Sequence, residues 1–509
     1  MQKRIDELFK VWHDPTGAGA QVLVIHKGEV VFEKCYGCAN IETQTPMTTD
    51  SLFHVSSTTK PFTAMSILIL QERGLLNIND DVRRYIPDMI RFSEPLTIKQ
   101  MLNHVSGVRG YYELMYLGGR SGEDHYAQHE IRRLIARQKV LNFTPGSEFL
   151  YTNANFMLCA TIVERVSGLT FPEFVRENIL RPLGMEHSFI RDNPRCIIPN
   201  KASSYHDDGY EYTNGILTFG IYGGTSLHTN CRELARFVHE FMEPTLISRQ
   251  TMDSIMLNPP VIGEKRSHYG TGIMIGDLEG HRYIHHGGSN AGYRSSFQAY
   301  PEDDLMVLIL TNTYTLPVED AAWDITRIVL GLPPRVFKTL DEFYTDEPLP
   351  EDLDGTYCNQ RNGKFYDLAV RDGKLYMDGV CLTQVRGNIY KQGRRPIWIS
   401  VGSKVYRTGG NAIAELKKIG QDMDPATMEQ YLGEYYCDDA QSHFEIGAGN
   451  DTLLVKHLRF RPRKLLWLGG DDFRYDEYKI HFTRDAQGAV NGYLFSSPHL
   501  RNVEFVKVK

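Results

Sequence analysis

The sequence predicts an α+β chain, in which an antiparallel sheet built from distant segments carries helices beside it and two small antiparallel barrels or sandwiches follow. Three observations predict this. Strand patterns stand at both ends of the front part, around a long stretch of helical periodicity. A boundary rich in proline and charge then interrupts that periodicity. Behind it come short strands and turns that weakly repeat themselves.

Between residues 19 and 40 the run QVLVIHKGEVVFE alternates on either side of Lys27-Gly28, which reads as strand, turn, strand. KPFTAMSILILQERG, TIKQMLNHVSG, EIRRLIARQ, NFMLCATIVERVSG and FPEFVRENILRPLG follow with helical spacing. Several of them end in glycine, as helix C-caps do. Strand character returns in HYGTGIMIGD, HRYIHHGG and YRSSFQAYPEDDLMVLILTNT, before the helical EDAAWDITRIVLG. These elements make one domain over residues 1–332.

Residues 333–348, within LPPRVFKTLDEFYTDEPLPEDLDG, are assigned to a linker. Two further domains are expected, 349–420 and 421–509. Gly355 and Tyr357 recur 78 positions later as Gly433 and Tyr435. Duplication of a strand-rich unit of about 75 residues explains that spacing. The helical DPATMEQYLG joins or caps the two copies.

Composition narrows the function. Of 509 residues 41% are hydrophobic and 23% charged, with a net charge of -7, so no basic surface for nucleic acid or an anionic membrane is expected. The start MQKRIDELFKVWHD is a short amphipathic stretch rather than a leader, and no apolar run is long enough to span a bilayer, which predicts a cytoplasmic protein. Eight scattered cysteines read as reduced structural thiols. Cys35 and Cys38 form a C-x-x-C, but no second ligand pair accompanies it. The 18 histidines include no H-E-x-x-H, and neither nucleotide-binding glycine motif is present. No metal and no cofactor are expected. Oligomeric state is not readable, although strand-rich rear domains are compatible with a homodimer.

Chemistry concentrates in three stretches. In HVSSTTKPF, Ser57 stands three residues before Lys60, ahead of an apolar run. A serine hydroxyl needs a nearby base, and a helix starting here puts Lys60 one turn along the same face, where exclusion of water lowers an amine's pKa. The same pattern also suits an ordinary helix start, with Ser as cap and Pro61 in the first turn. In FTPGSEFLYTNANF, Tyr151 and Asn153 are two apart and point the same way in extended chain. Tyr151 is suited to relay a proton if cations favour its phenolate, and Asn153 to hold both Lys60 and a substrate amide. In YIHHGGSNAGYRSSFQAY, His286 precedes Gly287 and Gly288, whose bare backbone lets a ligand approach. The N–H groups of Ser57 and Ser289 are candidates for an oxyanion hole, and His286 for orienting a substrate carboxylate or tuning Tyr151. His54 and His104 read as structural residues around the nucleophile.

Together Ser57-x-x-Lys60, Tyr151-x-Asn153 and His286-x-Gly288, with LTIKQMLNHVSG, RPLGM and YGGTSLHTNCRELARF, resemble the serine beta-lactamase and penicillin-binding protein superfamily, in its class C and D-aminopeptidase/esterase-like branch. The resemblance implies a beta-lactamase-like, transpeptidase-like catalytic domain with a helical subdomain. It further implies Ser57 as the attacking nucleophile, assisted by Lys60 and Tyr151, with His286 in the third motif. Asn153, Gly288 and Ser289 are implied to contact substrate. Class C enzymes usually carry K-T-G where this chain has His286-Gly287-Gly288, which favours amide or ester substrates over beta-lactams. The rear resembles the two eight-stranded, lipocalin-like barrels of D-aminopeptidases, from which LRFRPRKLLW or SSPHLRNV is implied as a loop toward the active-site entrance. The resulting expectation is a metal-independent serine hydrolase of small amides or short peptides, a D-aminopeptidase or amidase. A carboxylesterase, a D,D-carboxypeptidase or weak beta-lactamase, and a non-catalytic binding protein are the alternatives.

Overall fold

The strand Leu305–Thr311 is buried at all seven positions, because both of its faces are covered. It pairs antiparallel with Tyr293–Tyr300 on one side and with Ala20–His26 on the other, from Ala20 opposite Thr311 to His26 opposite Leu305. The complete six-stranded order is Met274–Leu278, His281–Asn290, Tyr293–Tyr300, Leu305–Thr311, Ala20–His26 and Glu29–Tyr36. Distant ends of the front part thus share one sheet. Lys27 and Gly28 both take positive φ, 54° and 74°, which closes the expected two-residue hairpin. The computed structural model describes residues 1–509 except 90, 91, 93, 123, 336–339, 347, 361–363, 394–396, 410, 411, 420–423, 450, 451 and 509. Parts of the expected linker, 336–339 and 347, and residues 394–396 of an expected strand run lie outside the described residues.

Alternation along the strands separates two cores. Val22, Val24, Val307 and Ile309 pack with Ile5 of the helix Gln2–Leu8 and with Ala322 and Ile325 of the helix Val318–Leu330. Leu308 is out of phase with them, opposite Phe297 in the next strand. Phe297 stacks on Phe241, and Phe237 of the helix Cys231–His239 stacks at 3.7 Å on Phe62. Phe62 belongs to the helix Lys60–Glu72, whose residues Lys60 to Leu70 are all buried. Each large apolar side chain buried there stabilises the fold by about 1.5–3 kcal/mol. Packing on all sides, rather than an amphipathic stripe, therefore fixes this helix. Beside it the helix Asn153–Ser167 starts where Thr152 accepts a hydrogen bond from the Ala154 N–H and ends at Gly168, φ 75°. A small second sheet has Leu227–Thr229 between Phe53–His54 and Phe189–Ile190.

The chain divides into two units, the first Met1–Tyr111, Gly122–Asp207 and Tyr212–Arg335, the second Tyr112–Ser121, Asp208–Glu211 and Val336–Lys509. No local pattern signals that two short front segments belong with the rear. Within the second unit, the strands from Gly433–Cys437 to Leu500–Lys507 close into an eight-stranded barrel. The other half is a nine-stranded antiparallel sheet, whose edge strands Val380–Cys381 and Thr383–Arg386 are separated by Leu382 alone. One strand of an eight-stranded pattern is thus broken in two. The sequence echo has a structural cause. Tyr357 donates its hydroxyl to the carbonyl of Leu353 at 2.9 Å, and Tyr435 donates to that of Tyr431 at 2.7 Å. Gly355 and Gly433 have φ of 149° and 145°. LRFRPRKLLW begins beside the segment 112–121 of its own unit, where Phe460 packs on Tyr116 and Arg459 donates to Ser121.

Among the described residues no helix is long and apolar enough to cross a membrane, and no cluster of His, Cys, Asp or Glu is arranged to hold a metal ion. Among the described residues no two cysteines are joined in a disulfide, and Cys38 donates its thiol to the Pro15 carbonyl.

Candidate active site

Ser57 lies in the short helical turn Ser56–Thr59, which runs straight into Lys60–Glu72. No side chain caps either element, so Ser57 is not spent on a helix N-terminus. Ser56 takes φ of 51°, an uncommon conformation for a residue with a Cβ. Neighbours hold it there: its hydroxyl is 3.3 Å from His54 Nδ1, and its carbonyl accepts from the Thr59 hydroxyl at 2.7 Å.

Lys60 is fully buried, and its Nζ has three oxygen neighbours: Asn153 Oδ1 at 2.6 Å, the Gly224 carbonyl at 2.8 Å and Ser57 Oγ at 3.0 Å. The first two can only accept, so they take two N–H bonds. Burial holds the Lys60 pKa well below the usual lysine value. A neutral amine has two N–H bonds and one lone pair, and here the lone pair is left for the Ser57 hydroxyl. The rings of Tyr151 and Phe156 lie 4.8 and 5.7 Å from Nζ and keep the site apolar.

The third motif borders this turn. Met274–Leu278 pairs with His281–Asn290 only as far as His285, so the strand beyond it has an edge free of that partner. Ser295, opposite Gly288, donates its hydroxyl to the Val55 carbonyl and lies 2.9 Å from the Thr58 hydroxyl. A Cβ on Gly288 would sit 2.1 Å from the Val55 carbonyl oxygen, so only glycine allows this approach. Ser289 follows on the exposed rim.

His286 is buried and points opposite to His285. Its Nδ1 donates to the Gly287 carbonyl at 2.7 Å, and its Nε2 accepts from the Tyr269 hydroxyl at 3.1 Å. Burial, then the Lys60 charge, pushes its pKa down to about 3. His286 is therefore a neutral ring with both nitrogens engaged inside the protein. Tyr269 is also 4.7 Å from the ring of His104, which lies 4.3 Å from that of Tyr151. His104 Nδ1 accepts from the Thr152 N–H, and the His104 carbonyl accepts from the Leu150 N–H, so this histidine grips the Tyr151 segment from both sides.

The structure thus gathers Ser57, Lys60, Tyr151, Asn153, His286 and Gly288 in one unit, with His54 and His104 as supports. Sequence reasoning missed Tyr269 and Gly224. Their signals were the glycines beside them: Gly223 has φ of 88°, and a Cβ there would meet the Phe156 carbonyl at 2.4 Å.

Comparison with known proteins follows the same residues. Positions 9–330 match the family described as Beta-lactamase. The D-aminopeptidase of Gluconobacter oxydans is 28% identical over 455 residues, which span 85% of this chain and 82% of that protein. Penicillin-binding protein 4* of Bacillus subtilis is 25% identical over 327 residues, 61% of this chain and 72% of that one. Among solved structures, the octameric penicillin-binding protein homologue from Pyrococcus abyssi shares the fold, with a TM-score of 0.58 at 21% identity over 90% of this chain and 99% of that chain.

Proposed function

Because this chain belongs to the beta-lactamase family and is a serine hydrolase, we propose that it is a D-stereospecific aminopeptidase or amidase of small amides and short peptides, working through an acyl ester on Ser57. The observation that carries the chemistry is the buried Lys60 amine, 3.0 Å from Ser57 Oγ with its other two positions occupied by carbonyl acceptors. Likeness to a D-aminopeptidase over 85% of the chain supports the substrate class.

In this reading Ser57 Oγ attacks the substrate carbonyl carbon while its proton passes to the Lys60 lone pair. The N–H groups of Ser57 and Ser289 receive the developing oxyanion. Tyr151 carries a proton from the lysine side to the leaving amine, the C–N bond breaks and an ester remains on Ser57. Water then adds by the same route, releasing the acid and returning the proton to Ser57. Asn153, whose Oδ1 is held by Lys60, has its NH2 left to donate to a substrate carbonyl.

His286 bears on substrate choice. A lysine in its place would offer a cation to a substrate carboxylate, whereas a neutral ring with both nitrogens engaged offers none. That disfavours D,D-carboxypeptidase and beta-lactam substrates, which present a carboxylate beside the scissile bond, and favours amides with a free amino end.

The test is the initial rate of the purified protein and its Ser57→Ala variant on D- and L-alanine p-nitroanilide and on p-nitrophenyl acetate. Ser57-dependent turnover of the D-anilide ahead of the L-anilide is expected. Turnover of the acetate alone would replace this reading with a carboxylesterase.

A further inference from the structure

The helix Val318–Leu330 packs on the third-motif strand from the face opposite the Ser57 turn. Gly288 approaches Val55 and Ser56, and the strand pairs without a break from Ile284 to Asn290, so Tyr283, His285 and Gly287 project to the other side. The helix meets them there. Trp323 donates its indole N–H to the Tyr283 hydroxyl at 3.0 Å. Glu319 lies one turn earlier on the same helix face and reaches Gly287, where a Cβ would sit 2.2 Å from Glu319 Oε1. Its carboxylate therefore rests on the bare Cα of the middle residue of the third motif.

That carboxylate has no counter-charge. Among the described residues nothing hydrogen-bonds to it or pairs with it, whereas Asp320 and Asp324 of the same helix both pair with Arg335, at 3.1 and 2.5 Å. Partial burial, then the charge of Asp320, lifts the Glu319 carboxyl above the usual carboxylate value. The group is nonetheless open to a ligand, since Glu319 and Ser289 are exposed and Gly287 is half-exposed.

The opening is the strand edge beyond His285, where Met274–Leu278 no longer pairs. A substrate whose oxyanion is held by the Ser289 N–H lies along this edge in the plane of the sheet, and side chains from both faces flank it. Tyr151 decides which part of the substrate meets Glu319. The Tyr269 ring lies 6.0 Å from that of Tyr151, and its hydroxyl donates to His286. Proton delivery to the leaving amine thus stands at the His286 end of the strand, and the leaving amine runs past Gly287. Two strand residues separate Gly287 from Ser289, about 6–7 Å, which a short diamine spans.

We propose that Glu319 selects the leaving group: its carboxylate receives an ammonium carried by the leaving amine and turns away a carboxylate there. The substrates it fits are amides of short diamines and peptides with a short basic side chain just after the scissile bond. This rests on the reading of Ser57 and Ser289 as the acyl-transfer site and extends it to the leaving side.

The test is Ser57-dependent release of D-alanine from three amides that differ in the leaving amine alone: the 2-aminoethyl amide, its neutral isostere the propyl amide, and D-alanylglycine. D-alanine p-nitroanilide serves as reference. The kcat/KM of the 2-aminoethyl amide should exceed that of the propyl amide about five- to tenfold, and D-alanylglycine should fall below the propyl amide by about the same factor. Glu319→Gln should bring the first two within about twofold of each other and raise D-alanylglycine toward them. Should the anilide not be cleaved, the D-amidase reading fails on its own, and the acetates of choline and 3,3-dimethylbutanol, one cationic and one neutral, read the same contact through ester hydrolysis. Equal rates for the cationic and neutral members, or a preference that Glu319→Gln leaves unchanged, would overturn the proposal.

Discussion

Lys60 Nζ lies 3.0 Å from Ser57 Oγ and 2.6 Å from Asn153 Oδ1, so one buried amine joins the first motif to the second. Replacing Lys60 by Met should lower kcat about 10²–10⁴-fold, the range for loss of a positioned general base. Reaction with an active-serine acylating probe should slow in parallel. Acylation at the wild-type rate would remove Lys60 from the mechanism.

The same burial sets a pH dependence. Activity requires the neutral amine, so kcat/KM should rise with pH through an acid limb whose midpoint lies well below 10.5. Stability follows with the same sign, because between the folded and unfolded pKa the unfolded chain binds a proton that the native one does not. The buried Cys159 and Cys231 thiols, whose pKa burial raises, act with the opposite sign over the same range, so the Lys60 share is read as a difference: between about pH 8 and 10, unfolding free energies from urea titrations should rise less, or fall more, in Lys60→Met than in the wild type.

Acid should destabilise the first unit through its buried histidines. His228 and His286 are pushed down to about 3 and His285 to about 4, from 6.5, chiefly by burial. Below about 6.5 the unfolded chain gains these protons before the folded one does, so stability is lost as pH falls from about 6.5 toward 3. Thermal melts across that range, compared with His285→Gln, measure one share of the effect.

Gly288→Ala should keep the fold while displacing the Ser57 turn, since the added Cβ falls 2.1 Å from the Val55 carbonyl and 2.4 Å from Ser295 Oγ. A misplacement near 1 Å costs about 10² in rate. Circular dichroism unchanged beside an acylation rate lowered by that factor is the expected pair of results.

Tyr269→Phe should leave the buried Nε2 of His286 without a donor, which costs about 1–3 kcal/mol. The ring's Nδ1–H form, visible by nitrogen NMR, should lose its single-tautomer signature. Retention of that signature would mean that the Gly287 carbonyl suffices to hold His286.

Local sequence determined a good deal here. Lys27-Gly28 read as a turn between two alternating runs, and the structure closes it with two successive positive φ values; LMVLILT read as part of a strand, while its cover on both faces came from the packing. The duplicated Gly-x-Tyr was legible because each copy repeats the same local bond, from a tyrosine hydroxyl to the carbonyl four residues back. Ser57 with Lys60 was legible for a similar reason, since one helical turn fixes their spacing. Tertiary structure alone decided that Gly224 completes the lysine's partners, that Tyr269 engages His286, and that Glu319 lies against Gly287. Those partners lie 164, 17 and 32 residues apart in the chain. Hydrogen bonds and uncompensated charge depend on distance in space and on exclusion of water, and neither is set by the identity of a residue's neighbours in sequence.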